Sequence, residues 1–431
     1  MTIDFLYDIF REFPKICTDS RQITENSIFF ALRGDHFNGN LYAQMALNHG
    51  AAYVVVDDPG VAINDRFILV EDVLSSLQHL ATLHRKTLGI PIIAITGTNG
   101  KTTTKELTAA VLATKFNVEY TRGNLNNHIG VPLTLLSMSE KTEIGVVEMG
   151  ANHPGEIAFL CHIADPDYGL VTNMGKAHLE GFGGFEGVVK TKSELYRYLE
   201  AKGATLFIHG DNPILVEAAG NQISMIRYGT GQTCFLKGEI IDRPPFLCLN
   251  ISDNQSIIHI KTRLIGNYNF ENALAAATIG YYFGIEMNPI KEALENYIPS
   301  NNRSQWIVAG TNQIIMDAYN ANPSSMSASL FHFFQMDAFH KVVILGDMLE
   351  LGDEALSEHQ KIVDILTKQH NLSVFLVGKT FAQTCKPVNF RLFPDTVELM
   401  AWLSYHPVAN SMILIKGSHG IRLDKVIGSF N

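Results

Sequence analysis

Residues 95–105 read "ITGTNGKTTTK". The stretch has the glycines, lysine and threonine of a phosphate-binding loop. It lacks the glycine that the common G-x-x-x-x-G-K-[ST] pattern places five residues before Gly100; Ile95 stands there instead. The context is nonetheless the one such a loop requires. "PIIAI" (91–95) reads as a buried strand, and "KTTTKELTAAVLATKF" (101–116) reads as a helix whose apolar side carries Ala109, Ala110, Leu112 and Ala113. Backbone N–H groups at a helix start cradle phosphate oxygens, which assigns Gly97, Thr98, Asn99 and Gly100 to ATP, with Thr103 in the following turn. Lys101 is placed to reach the β- and γ-phosphates, and the Thr102 hydroxyl to bind Mg²⁺. The competing reading is an ordinary glycine turn with Lys101 and Thr102 exposed.

Working outward, apolar strands alternate with helices on both sides of this loop. "EIGVVEMG" (143–150), "YGLVTNMG" (168–175) and "ATLFIHG" (204–210) follow it, and "NFENALAAATIGYYFGI" (269–285) is a late helix. Such near-continuous apolar runs predict a parallel sheet covered on both faces. Before the loop lie the strand-like "SIFFAL" (27–32) and "AAYVVVDD" (51–58), the turn-rich "RGDHFNGN" (33–40) and a helix over 72–89. After the polar stretch "IPSNNRSQ" (298–305) the alternation resumes with "QIIMDAYN" (313–320), "KVVILGDM" (341–348), "SVFLVG" (373–378) and "SMILIKGS" (411–418). The expected fold class is α/β with three domains, at 1–83, 84–299 and 300–431.

Composition agrees with that division. The chain has 431 residues with 46% hydrophobic content, enough for a core in each domain. The net charge of -10 argues against a nucleic-acid surface but permits a local basic site. The five cysteines form no C-x-x-C pair and are odd in number, so free thiols in a reducing compartment are expected. "MTIDFLYDIF" lacks the basic start of a signal peptide, and no apolar run is long enough for a membrane span. A cytoplasmic protein with no membrane insertion is the resulting expectation.

In open α/β sheets, ligands sit beyond the carboxyl ends of the strands. The phosphate loop, Glu148 and the segment holding Asn173 and His178 all leave strands at that edge. Mg²⁺ prefers oxygen ligands shared with phosphates, and Glu148 suits it. Imidazole is a poor Mg²⁺ ligand, so residue type alone leaves His178 a polar loop histidine. In "VVKTKSELYRYL" (188–199), Lys190 and Lys192 precede Glu194. They fit either a solvated helix face or a lysine directed at phosphates or metal.

These motifs together resemble the Mur ligase superfamily, whose phosphate loop reads G-T-N-G-K-[ST]. The resemblance covers nearly the whole length, through "TDSRQITENSIFFALRGDHFNGN" (18–40), "RGNLNNHIGVPLTLL" (122–136), "VVEMGANHPGEI" (146–157), "TNMGKAHLEGFGGFEGVVKTKSEL" (172–195), "IGNYNFENALAAA" (265–277), "DAYNANPSSMSASL" (317–330), "VILGDMLELG" (343–352) and "LIKGS" (414–418). "YNANPSSM" and "LGDMLELG" point to the branch that adds D-alanyl-D-alanine to UDP-N-acetylmuramoyl-tripeptide. The resemblance implies a first domain for the UDP precursor, a central ATPase domain and a Rossmann-like third domain that closes over the site.

It also implies residue roles. Lys101, His178 and Lys192 would be catalytic. Thr102, Glu148, His178 and Lys192 would serve two Mg²⁺ ions, with Lys192 carbamylated. Asn269 and Asn272 would meet the adenine, and Arg303 and Asp317 would reach ATP after closure. Ser20, Arg21, Asn127, Asn320, Asn322 and Lys416 would bind the precursor or dipeptide, and the enzyme is expected to be a monomer. Two positions depart from the family pattern. Met316 stands where many relatives have an acidic residue before "YNAN", and His419 stands in "KGSHG" where relatives often have arginine. A neutral imidazole holds a carboxylate less strongly than a guanidinium does. Rival expectations are another amide ligase of the superfamily, such as folylpolyglutamate synthase, and a nucleotide-binding regulator without ligase activity.

Overall fold

The structure, a computed structural model, describes residues 2–176, 179–241, 245–253, 256–300 and 302–430. Among these, three larger sheets organise the chain. The first has four parallel strands, in the order Lys15–Cys17, Ser27–Phe30, Tyr53–Val56, Phe67–Leu69. The helix Val73–Leu88 follows. Asp72 starts it by accepting the Ser75 N–H at 2.6 Å, and Gly89 ends it with φ 63°. This helix runs unbroken through residues 83 and 84.

The central sheet has nine strands. The phosphate-loop strand Ile92–Thr96 lies between Ile144–Glu148 and Tyr168–Val171, and pairs in parallel with both. Because the chain passes to one side of Ile92–Thr96 and then to the other, the crevice for a ligand opens at this strand's carboxyl end. The strand's burial explains its sequence. Ile92 and Ala94 enter the core facing the first domain, while Ile93 and Ile95 enter the core under the helix Phe270–Tyr282. Both faces are covered, so every position is apolar up to Thr96.

The wholly parallel expectation holds from Val118–Tyr120 across to Leu236–Ile241. Beyond it the sheet continues antiparallel, through Phe246–Ser252 and Ile257–Ile265. The physical reason is connection length. A short loop can only return the chain antiparallel, whereas a parallel return needs a crossover.

The third sheet is also mixed. Gln305–Ala309 pairs antiparallel with Asn312–Asp317. The remaining strands, Met412–Lys416, Lys341–Gly346, Leu372–Val377 and Arg391–Phe393, run parallel in that order. Apolar clusters cover both faces of this sheet. Among the described residues no helix is long and apolar enough to cross a membrane. All five cysteines are free, and only Cys385 is exposed.

Candidate active site

The phosphate loop is held by its neighbours more than by itself. Gly97 has φ 141°, and a Cβ there would stand 2.0 Å from Thr172 Oγ1. Gly100 has φ 79°, and its Cβ would meet Asn272 Oδ1 at 2.5 Å. Both glycines are therefore required by backbone conformation and by close approach. The Thr98 N–H donates to the Asn173 carbonyl at 2.9 Å, and the Asn99 N–H to Asn173 Oδ1 at 2.9 Å. Thr172 Oγ1 donates to the Asn99 carbonyl at 2.6 Å. The segment after Tyr168–Val171 thus forms one wall of the loop.

Lys101 begins the helix Lys101–Leu112 and folds back on the loop. Its Nζ donates to the Gly97 and Thr98 carbonyls at 2.8 and 3.1 Å. The competing reading of a glycine turn with an exposed lysine does not fit: Lys101 is half-buried. Burial pulls its ammonium below the ordinary lysine range, opposed by Glu148. Thr102 is buried, and its hydroxyl donates to Glu148 Oε2 at 2.9 Å. Glu148, 1% exposed, also accepts from Asn126 Nδ2 at 2.8 Å on its other oxygen. A hydroxyl and a carboxylate so close together, both next to the phosphate loop, make an oxygen donor set that fits Mg²⁺.

Asn126 was not among the residues singled out from the sequence; only its place in "NLNNHIG" beside Asn127 hinted at it. Asn127 itself is exposed. It accepts the Ile129 and Gly130 N–H groups at 3.1 and 2.9 Å, just ahead of the helix Gly130–Leu136.

Lys190 and Lys192 separate cleanly. Lys190 is exposed, while Lys192 is 3% exposed, with Nζ 5.6 Å from the centre of the Phe182 ring. Burial, and then the charge of Lys101, push the Lys192 ammonium down to about 7 against the pull of Glu156 and Glu194. Glu194 is turned to another task. It accepts the Gly155 and Ala158 N–H groups at 2.8 and 2.9 Å and so caps the helix Glu156–Ala164. His178 lies outside the described residues.

Asn272 joins the helix Phe270–Tyr282 to the loop. It accepts from Thr104 Oγ1 at 3.0 Å and donates to Asn269 Oδ1 at 2.9 Å, and Asn269 donates to the Ile265 carbonyl. The third domain meets the loop through a reciprocal amide pair: Asn322 Nδ2 donates to Asn99 Oδ1 at 2.7 Å, and Asn99 Nδ2 to Asn322 Oδ1 at 3.5 Å. Lys176 adds an ion pair to Glu358 at 3.4 Å.

Within the third domain, Asp317 accepts from Lys416 Nζ at 2.6 Å and from Ser329 Oγ at 3.1 Å. Lys416 also donates to the carbonyl of the exposed Asn320 at 3.3 Å. The Arg303 guanidinium stacks 3.7 Å from the centre of the Tyr319 ring, and its charge reaches Lys101. His419 is exposed, 5.9 Å from the same ring. Thr103 is half-buried in the first helical turn. Ser20 and Arg21 stand apart on a short helical turn of the first domain, where Arg21 is bidentate to Asp19.

A short glycine loop on a parallel sheet, a buried oxygen donor pair and a third domain touching the loop define a phosphate-loop nucleotide-binding enzyme. The comparisons narrow the class. Residues 12–94 match the Mur ligase family catalytic domain, residues 95–280 the Mur ligase middle domain, and residues 302–419 the Mur ligase glutamate ligase domain. The chain belongs to the Mur ligase family.

It is 33% identical to the UDP-N-acetylmuramoyl-tripeptide–D-alanyl-D-alanine ligase of Bacillus subtilis, over 96% of this chain and 92% of that protein. Among solved structures it resembles MurF from Acinetobacter baumannii, with TM-score 0.86, 28% identity, and coverage of 96% of this chain and 93% of that one. It also resembles MurF ligase from Thermotoga maritima in complex with ADP, with TM-score 0.85, 25% identity, and 96% coverage of both chains.

Proposed function

We propose that this chain is an ATP-dependent amide ligase that joins UDP-N-acetylmuramoyl-tripeptide to D-alanyl-D-alanine. The product is the UDP-muramoyl-pentapeptide precursor of peptidoglycan, made in the cytoplasm by a monomer. The observation that carries the reading is the buried Thr102–Glu148 pair at 2.9 Å beside the phosphate loop, in a chain that matches a ligase of that name over 96% of its length.

A carboxylate is a poor electrophile, and transfer of the ATP γ-phosphoryl group converts it to an acyl phosphate. The amine of the dipeptide then attacks, a tetrahedral intermediate forms, and phosphate leaves. In this scheme Lys101 leaves the Gly97 and Thr98 carbonyls and turns to the γ-phosphate. The loop N–H groups and Lys101 meet the developing charge where it appears. Thr102 and Glu148 would hold Mg²⁺, with Lys192 and His178 serving a second ion. Bound Mg²⁺ neutralises charge on the phosphates and on the oxyanion.

Lys192 is suited to modification. Its neutral amine, favoured by burial, adds CO₂ and loses a proton, and the resulting carbamate turns a cation that would repel metal into an anion that attracts it. Asn269 and Asn272 face the adenine. Arg303 and Asp317 reach ATP as the third domain closes and excludes water that would hydrolyse the acyl phosphate. Asn320, Asn322 and Lys416 line the dipeptide side, Asn127 the muramoyl side, and Ser20 and Arg21 the uridine side.

The test is ADP release from ATP with each substrate omitted in turn. Release is expected only with UDP-muramoyl-tripeptide, D-alanyl-D-alanine and Mg²⁺ together. Equal turnover without the dipeptide would instead identify a hydrolase or a nucleotide switch.

A further inference from the structure

One buried cation beside the phosphate loop has no part in the scheme above. Lys105 lies one helical turn after Lys101, on the same face of the helix. It is fully buried, and its Nζ makes no hydrogen bond. Two carboxylates stand at the same distance from it, Glu148 Oε2 at 3.7 Å and Glu106 Oε1 at 3.7 Å, and the Tyr120 ring centre lies at 5.7 Å. Glu106 is held in turn by the Tyr297 hydroxyl at 2.5 Å. A buried ammonium normally hydrogen-bonds its counter-ion directly. Lys105 instead sits midway between two anions and closes on neither.

Glu148 explains why a cation is needed there. Its carboxylate is almost completely buried, and its direct partners, Thr102 and Asn126, are neutral. A buried carboxylate without nearby positive charge is strongly destabilising. We propose that Lys105 is a positioning residue that compensates Glu148 when Mg²⁺ is absent, and that sets Mg²⁺ affinity by competing with the ion for that carboxylate. Glu106 limits the competition by drawing the ammonium away from Glu148. This inference rests on the reading that Glu148 receives Mg²⁺.

The two neighbours should therefore act in opposite directions. Lys105→Met keeps the volume and removes a charge that repels Mg²⁺. The Mg²⁺ concentration giving half-maximal ADP binding should fall by about tenfold or more, since a positive charge a few ångströms from the carboxylate opposes a cation arriving there. The metal-free protein should also melt at a lower temperature than wild type, and recover with Mg²⁺ and ADP. Glu106→Gln keeps an acceptor for Tyr297 but leaves Lys105 to Glu148 alone, so half-maximal Mg²⁺ should rise several-fold. A lysine that merely fills space would not move the two variants apart.

The experiment is calorimetric titration of the full chain with ADP across a Mg²⁺ series, alongside thermal melts in EDTA. Glu148→Gln serves as the control and should lose the Mg²⁺ dependence of ADP binding. If it keeps that dependence, the metal assignment of Glu148 fails and this inference fails with it. If Glu148→Gln loses the dependence while Lys105→Met leaves half-maximal Mg²⁺ unchanged or raised, the role of Lys105 alone is overturned. Should Lys105→Met not fold, Glu106→Gln decides by itself: a rise supports the competition, and no change or a fall rejects it.

Discussion

The charged side chains around the phosphate loop and those at the end of the third sheet form two rows that handle charge differently. At the third sheet the buried lysine is already neutralised by a carboxylate. Lys416, 2% exposed, meets Asp317 at 2.6 Å, and Arg303 lies flat on Tyr319. At the central sheet the cations are left open. Lys105 has no hydrogen bond, Lys192 has none among the described residues, and Lys101 is satisfied only by carbonyls of its own loop. Open cations around a carboxylate suit a site that receives phosphates and metal and must rearrange when they arrive. A self-neutralised row suits a domain that contributes shape and exclusion of water. Removing a central cation should therefore cost chemistry, and breaking a third-domain pair should cost stability.

The strongest way to break that contrast is Lys101→Ala. Loss of the γ-phosphate contact should cost about 3–4 kcal/mol of transition-state stabilisation or more, several orders of magnitude in turnover at the upper end. The thermal midpoint should shift little, since the side chain is half-buried and bonds only loop carbonyls. Near-normal ADP release from a folded Lys101→Ala protein would reject the phosphate-loop role.

Lys192 comes next. Lys192→Ala should abolish turnover, and added acetate should restore part of it by occupying the space of the carbamate. Lys192→Arg should stay inactive, because a guanidinium keeps its charge and cannot form a carbamate. An active Lys192→Arg enzyme would make this residue a simple phosphate-facing cation. The pH dependence has a defined sign. The folded amine titrates at about 7, below the ordinary lysine value. Between those limits the unfolded chain binds the extra proton, so folding is favoured as pH rises from 7 toward 10. Metal-free wild type should therefore gain stability relative to Lys192→Met across that window in denaturant titrations. A flat difference would remove the burial argument.

Asp317→Asn probes the opposite row. It strands a buried lysine ammonium, a change worth about 3 kcal/mol when one partner of a buried pair is removed. The loss should appear in denaturant unfolding without ligands. An unchanged midpoint would mean that the third-domain row is not self-neutralised and that the contrast is misdrawn.

What the sequence made legible follows the same division. The phosphate loop and Glu148 could be read because backbone chemistry fixes them. A glycine turn between a buried strand and a helix has few other uses, and a carboxylate ending an apolar strand has to face the crevice. Lys190 and Lys192 could not be told apart, since two positions on one helix differ in burial only through what packs on them. Lys105 carried a weak signal, its spacing of one turn from Lys101. Glu194 and Asn126 carried almost none, because their partners, Ala158 and Glu148, are distant in sequence. The antiparallel strands over 246–265 were missed for another reason. Burial in Ile257–Ile265 alternates from Ile260 to Leu264, so this segment lacks the continuous apolar run by which the central strands were recognised.

The smallest expected effect lies where the two rows touch. Asn322 does two things with one side chain. Its Oδ1 accepts the Ser325 N–H at 2.9 Å and starts the helix Pro323–Gln335, and its amide pairs with Asn99 of the phosphate loop. Asn322→Ser should keep the helix start, because serine is as good an N-cap, and lose the amide pair. Asn322→Ala should lose both and cost about 1 kcal/mol of stability from the cap. The difference between the two variants in denaturant unfolding isolates the cap. What they share isolates the contact between domains, and it should appear in both as weaker ATP binding with little change in the melting of Asn322→Ser. If Asn322→Ser binds ATP like wild type, the amide pair is an incidental contact and the third domain has no grip on the loop through it.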